Sequence, residues 1–201
     1  PHDTFYGGRD PGVFANAAVY LVNHHALVVN DRFINFPGWI QSGNSFQLGF
    51  LPGYVSWLAV FFSVGGIRGI QLSNSVCLFI GLMSLYFIGK RIASRQTGIF
   101  TVLMVATAYP MFWFPRETFN EVFFMALVWF GVLCFLAGYE EQKYSWFFLG
   151  ILSIGLSMHV RIEGITIFGM CILITLVLRF ILRRKCALTS KHAILITVVL
   201  F

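Results

Sequence analysis

Five apolar runs, at 70–88, 98–114, 119–138, 146–160 and 164–178, follow one another with short polar connections, and a sixth begins near Ala193. A membrane-crossing helix needs about 20 apolar residues. Backbone inside hydrocarbon must satisfy its own hydrogen bonds, which restricts such runs to helices or closed barrels. Composition agrees: 11% of the residues are charged, against about 25% in an ordinary soluble domain, too few to cover a water-facing surface. The expected fold is all-α, a polytopic transmembrane helical bundle, and the expected location is integral to a membrane.

The net charge of +6 does not point to nucleic acid, because the basic residues sit in short loops between apolar runs. That distribution orients membrane proteins with Lys and Arg in the cytoplasm. Two connections are strongly basic: Lys90, Arg91 and Arg95, then Arg179, Arg183, Arg184, Lys185 and Lys191. Four spans separate them, so both lie on one side, assigned to the cytoplasm. The run 48–64 contains Pro52, Gly53, Tyr54 and Trp57, and aromatics of this kind favour the headgroup layer. It is expected to lie in the outer interface. Residues 1–69 then form a first outer loop with juxtamembrane helices, and 70–201 a transmembrane region of about five complete spans plus one truncated. On this topology the outer side holds five Lys or Arg against six acidic residues, net −1. The inner side holds nine against Glu140 and Glu141, net +7. The chain starts with Pro1 rather than Met and stops within an apolar run, so a fragment of a longer protein is expected. Cys77, Cys134, Cys171 and Cys186 show no metal-type spacing.

Three stretches place polar residues at the outer face. In "FYGGRDPGVFANAAVYLV", Arg9 and Asp10 precede a helix expected from Val13 onward, where a carboxylate can cap free N–H groups. Taken alone, Asp10 is best read as a cap. In "YPMFWFPRETFNEVFF", Pro115 suits a helix start, and Glu117 and Glu121 share one face four residues apart. Glu121 is expected a turn or more inside an apolar helix. There an ionisable group costs about 2.5–3.5 kcal/mol on insertion scales and needs a partner or a wet cavity. In "GLSMHVRIEGITIF", His159, Arg161 and Glu163 interrupt an apolar run. Two readings stand side by side: a short loop whose charges touch water, or Arg161 pairing with Glu121 or binding an anion. The chain has no phosphate-cradling Gly-rich loop before a helix, no His/Cys metal spacing and no Gly-x-Ser-x-Gly elbow.

The order of these pieces resembles the C-type (GT-C) superfamily of polyprenyl-phosphate-sugar glycosyltransferases, which includes protein O-mannosyltransferases and the lipid A aminoarabinose transferase. The pieces are "GGRDPGVFANAA", "LGFLPGYVSWLAVFFSVGGIRGIQLSNSV", the basic "GKRIASRQTG", "PRETFNE" with its Arg-x-x-x-x-Glu spacing, and "GLSMHVRIEG". The resemblance implies a GT-C bundle whose outer loop contains interfacial helices, and an inverting enzyme acting at the outer face. Its implied partners are a polyprenyl-phosphate sugar donor, a lipid, glycan or protein acceptor, and membrane lipid. By resemblance, Asp10 and Glu121 take the catalytic acidic positions, and they are also the candidate ligands of a divalent cation, which some members use. Arg161, Arg116 and Arg9 become candidates for the lipid phosphate, with Glu117, His159 and Glu163 as further site candidates. The implied membrane is the plasma membrane, or the endoplasmic reticulum in a eukaryote. Two departures leave the donor sugar and metal dependence open. Pro11 follows Asp10 where mannosyltransferases usually have a second acidic residue, and "LGFLPGYV" lacks the Lys of the aminoarabinose enzymes.

The implied chemistry is coherent with the residues. A carboxylate can act as general base on an acceptor hydroxyl, typically worth 10²–10⁴-fold, and arginines can neutralise a leaving phosphate. The competing class is a multi-span transporter or non-catalytic membrane subunit, since intramembrane charges also mark transport pathways. Internal repeats and helices broken at mid-depth would favour the transporter, and the sequence shows neither.

Overall fold

The longest helix is too long to be one membrane span. In the computed structural model, which describes residues 9–29, 39–42 and 45–183, helix α2 runs Pro52–Ile92, 41 residues. At 1.5 Å per residue that is about 60 Å, twice the roughly 30 Å of a hydrocarbon core. Gly66 divides it. Its backbone sits at φ 59° and ψ −145°, a combination that only glycine adopts without strain. The chain turns so sharply there that a Cβ on Gly69 would lie 2.0 Å from the carbonyl oxygen of Phe61. The first arm, 52–65, corresponds to the segment expected at the interface, and the second, 67–92, to the first expected span.

The remaining helices follow the apolar runs. They are α1 (Arg9–His24), α3 (Arg95–Ala106), α4 (Tyr109–Trp113), α5 (Asn120–Glu141), α6 (Tyr144–Ser157) and α7 (Glu163–Arg183). Helix α3 starts on a Ser94 cap, whose hydroxyl accepts from the Thr97 N–H at 3.2 Å. Helices α2 and α5 are each long and apolar enough to cross a membrane. The span expected at 98–114 is bent: α3 and the α4 segment meet at 76°. The break falls at Ala108, extended at φ −65°, ψ 135°, and Pro110, in the first turn of α4, has no N–H with which to continue the helix from α3. Helix α6, expected as the span 146–160, has 14 residues. The sixth expected run, from Ala193, lies outside the described residues.

The membrane bundle is all-α, as expected. Between α1 and α2 the described residues add a small antiparallel sheet, which the apolar pattern does not predict, with strands β1 (Val28–Val29), β2 (Trp39–Ser42) and β3 (Ser45–Leu48) in the order β1-β3-β2. Strands of two to four residues are too short to show the alternation by which a strand is recognised.

Packing between helices uses small residues, as expected where lipid supplies no hydrophobic drive. Helices α5 and α6 meet at Gly131 and Gly150, where a Cβ on Gly131 would lie 2.5 Å from the Ile154 side chain. Beside them Ser153 Oγ donates to the Leu127 carbonyl at 2.7 Å. The main buried cluster joins α1 (Phe14, Ala15, Ala18) to the first arm of α2 (Tyr54, Val55, Leu58), with Ile70 and Val160, and Phe123 of α5 packs against it. That cluster is the floor under the polar residues at this end of the bundle.

Candidate active site

One amide ties the turn between α4 and α5 to α2. Asn74, about two turns into the second arm of α2 past the elbow, is 1% exposed. Its Nδ2 donates to the carbonyls of Glu117 (2.6 Å), Phe119 (2.9 Å) and Phe114 (3.3 Å). Its Oδ1 accepts from the Tyr54 hydroxyl at 2.9 Å. The turn between α4 and α5 is thereby tied to both arms of α2. The sequence signal for Asn74 was a lone amide within an apolar run, which must find partners when buried. Tyr54 packs edge-on to Phe14 of α1, with ring centroids 5.2 Å apart.

Gly53 ties in the turn between α6 and α7. Its N–H donates to the His159 carbonyl at 2.8 Å, and a Cβ there would stand 2.5 Å from that oxygen. Glycine is required because the two backbones touch. The stretches around 53, 114–121 and 157–164, far apart in sequence, therefore meet at one end of the bundle.

Arg161 sits where they meet. Its Nη1 donates to Glu121 Oε1 at 2.5 Å and lies 3.4 Å from Asn120 Oδ1. Its Nη2 and Nε donate to the two oxygens of Glu163, at 2.7 and 3.2 Å. This is the parallel fork that guanidinium makes with carboxylate or phosphate. Arg161 thus bridges the start of α5 to the start of α7. The Arg161 guanidinium holds the Glu163 carboxyl below its ordinary range. Glu121 Oε2 is buried with no hydrogen-bond partner among the described residues.

Of the two readings left open for Arg161, pairing with Glu121 is the one found. The depth expected for Glu121 needs correction: α5 starts at Asn120, so Glu121 is in its first turn rather than a turn or more inside. Phe119 stays extended because Asn74 holds its carbonyl. Arg116 ends a 3-10 turn, Phe114–Arg116, and is exposed. Glu117 is half-buried and enters the site through its carbonyl, as does the exposed His159. Arg9 and Asp10 are in the first turn of α1, which starts four residues before the expected Val13. The side chains of Arg9 and Asp10 lie outside the described set, and so does their expected convergence with Glu121 and Arg161.

A divalent cation at Asp10 and Glu121 is not supported by the described residues. Glu121 Oε1 is committed to Arg161, whose positive charge repels a cation brought to the same carboxylate. Among the described residues no group of three His, Cys, Asp or Glu side chains gathers.

No curated protein and no solved structure matches the chain. The sequence model of the family described as dolichyl-phosphate-mannose-protein mannosyltransferase matches residues 49–201. The match contains Asn74, Arg116, Glu121, Arg161 and Glu163, while Asp10 precedes it. Helices α2 to α7 fall within it, and α1 precedes it. The chain therefore belongs to the dolichyl-phosphate-mannose-protein mannosyltransferase family, membrane glycosyltransferases of the GT-C type.

Proposed function

We propose that this membrane glycosyltransferase moves a sugar from a polyprenyl-phosphate donor to an acceptor hydroxyl at the outer face of the membrane, with inversion. The observation that carries the reading is Arg161, a guanidinium fixed by Glu121 at the junction of three chain segments with its fork turned to Glu163. An arginine so held can bind a phosphate bidentately and stabilise the charge that develops on it as the glycosidic bond breaks. Family membership favours this reading over the transporter.

In the proposed reaction the acceptor oxygen attacks the anomeric carbon from the side opposite the phosphate. The new carbon–oxygen bond forms as the bond to the phosphate oxygen breaks, and the bond electrons leave with the polyprenyl phosphate. The acceptor proton passes to the carboxylate of Asp10. Arg161 takes the charge of the departing phosphate, Glu121 orients Arg161, and Arg116 and Arg9 are further phosphate contacts nearer bulk water. What supports Asp10 is placement: it lies one turn before Phe14, which packs on Tyr54, and Tyr54 holds Asn74. The acceptor is a lipid, a glycan or a protein. The membrane is the plasma membrane, or the endoplasmic reticulum in a eukaryote.

Asp10→Asn tests the base, since it removes the proton acceptor and keeps size and helix-starting ability. Sugar transfer by the full-length variant is expected to fall at least 100-fold, with unchanged expression and folded yield. Transfer at near wild-type rate would leave Asp10 as a residue of the first helical turn and nothing more.

A further inference from the structure

We infer that Glu163 is a built-in stand-in for the donor phosphate, which occupies the Arg161 fork in the empty site and is exchanged for the phosphate when the donor binds. The inference rests on the proposed phosphate role of Arg161 and adds a residue that sets donor affinity.

The two carboxylates on Arg161 are not equivalent. Glu121 takes only Nη1, through one oxygen, and belongs to α5 across the site. Glu163 takes the fork, Nε and Nη2, through both oxygens. That is the two-point contact a phosphate would make with the same nitrogens. The two residues also differ in how firmly they are held. The Glu121 side chain is 40% exposed with Oε2 buried, whereas the Glu163 side chain is 54% exposed. Glu163 is the first residue of α7, two positions from Arg161, so a rotamer change releases it to water without moving a helix. An exposed ion pair of this kind is worth little, which makes it displaceable.

Without Glu163, the fork would offer an uncompensated donor set to any passing anion. With it, only a ligand that brings more than a carboxylate does, namely a phosphate plus contacts elsewhere in the site, completes the exchange. The cost appears as weaker donor binding, because the donor must first displace an internal competitor.

The test measures binding of geranylgeranyl phosphate, and separately of inorganic phosphate, to the full-length protein in phosphatidylcholine nanodiscs. Steady-state kinetics with a polyprenyl-phosphate sugar accompany it. Glu163→Gln keeps the shape and removes the competing charge. It is expected to tighten geranylgeranyl phosphate about fivefold or more and to lower the donor KM by a similar factor, with a smaller change in kcat. A purely structural Glu163 would not split KM from kcat in this direction. In an Arg161→Lys background, which keeps the charge but not the fork, the gain from Glu163→Gln should shrink below about twofold. An equal gain for inorganic phosphate supports the exchange and makes the phosphate group alone sufficient for it. Unchanged or weaker binding in Glu163→Gln overturns the inference, and would mean that Glu163 only positions Arg161. If Arg161→Lys and Arg161→Gln both bind geranylgeranyl phosphate as wild type does, the phosphate role of Arg161 itself fails, a result distinct from failure of the exchange.

Discussion

The amide of Asn74 donates to three carbonyls of the 114–119 turn and accepts from Tyr54, so one buried side chain sets where Arg116 and Glu121 project. Asn74→Leu would leave those carbonyls and the Tyr54 hydroxyl without this partner. A buried group left unpaired costs about 1–3 kcal/mol in water, though hydrogen bonds within membranes average nearer 0.6. A net loss of roughly 2 kcal/mol is expected, seen as a thermal midpoint lowered by about 4–8 °C in detergent. An unchanged midpoint would show that the turn holds itself. A second prediction concerns acid. The folded-state pKa of Glu163 is lowered, with Arg161 as the cause and Glu121 as the other charge on that guanidinium. A lowered carboxyl contributes stability that is present above its ordinary value of 4.5 and lost as pH falls through the folded value. The midpoint difference between wild type and Glu163→Gln should therefore persist from pH 8 to about 5, begin to shrink near 4.5 and vanish only below the lowered folded value, at a size befitting an exposed pair. A difference that grows in acid would contradict the pairing.

The elbow at Gly66 decides whether the first arm of α2 reaches the site, because Gly53 at the far end of that arm must touch His159. Gly66→Ala places a Cβ on a backbone that L-residues rarely adopt, at a cost of about 1–3 kcal/mol. Straightening relieves the strain but withdraws Gly53 from His159. Transferase activity should therefore fall further than stability does, whereas Gly65→Ala, with open space around it, should leave both close to wild type. Equal behaviour of the two variants in activity and melting would rule out the elbow as a positioning device. Much of this was legible before any coordinates. The apolar runs, the break between 48–64 and 70–88, and the three polar stretches are patterns long enough to read. The Arg161–Glu121 contact was one of two open readings, since spacing does not say which loops of a bundle meet. Asn74 is an amide in the stretch 70–76, and its role depends on carbonyls some 40 residues away. The short sheet and the bend at Pro110 lie below the length at which periodicity speaks.

Two polar layers cap the bundle, and their separation bears on its orientation in the membrane. On α2, Asn74 and Arg91 are 17 residues apart, and on α5, Glu121 and Glu140 are 19 apart. At 1.5 Å per residue these spacings are about 26 and 28 Å, close to the roughly 30 Å of a hydrocarbon core. One layer is the Asn74, Glu121 and Arg161 site. The other is Arg91 paired with Glu140 and Glu141, with Lys143 and the Trp146 indole also on Glu141. The second layer sits beside Lys90 and Arg95, the kind of basic cluster that marks a cytoplasmic side, and this supports the proposal that the site faces outward. With the four native cysteines replaced by alanine, single cysteines at His24 and Ile162 should react with an impermeant maleimide on intact cells. Single cysteines at Arg95 and Tyr144 should react only after permeabilisation. All four are exposed and outside the contacts of the site. The pairs discriminate because α2 and α5 each cross once between the layers, so both members of a pair must behave alike. If His24 labels only after permeabilisation while Ile162 labels on intact cells, the first arm of α2 crosses the membrane, and Asp10 is on the wrong side to meet Arg161. If both reverse together, the bundle is inverted and the donor must be presented at the inner leaflet.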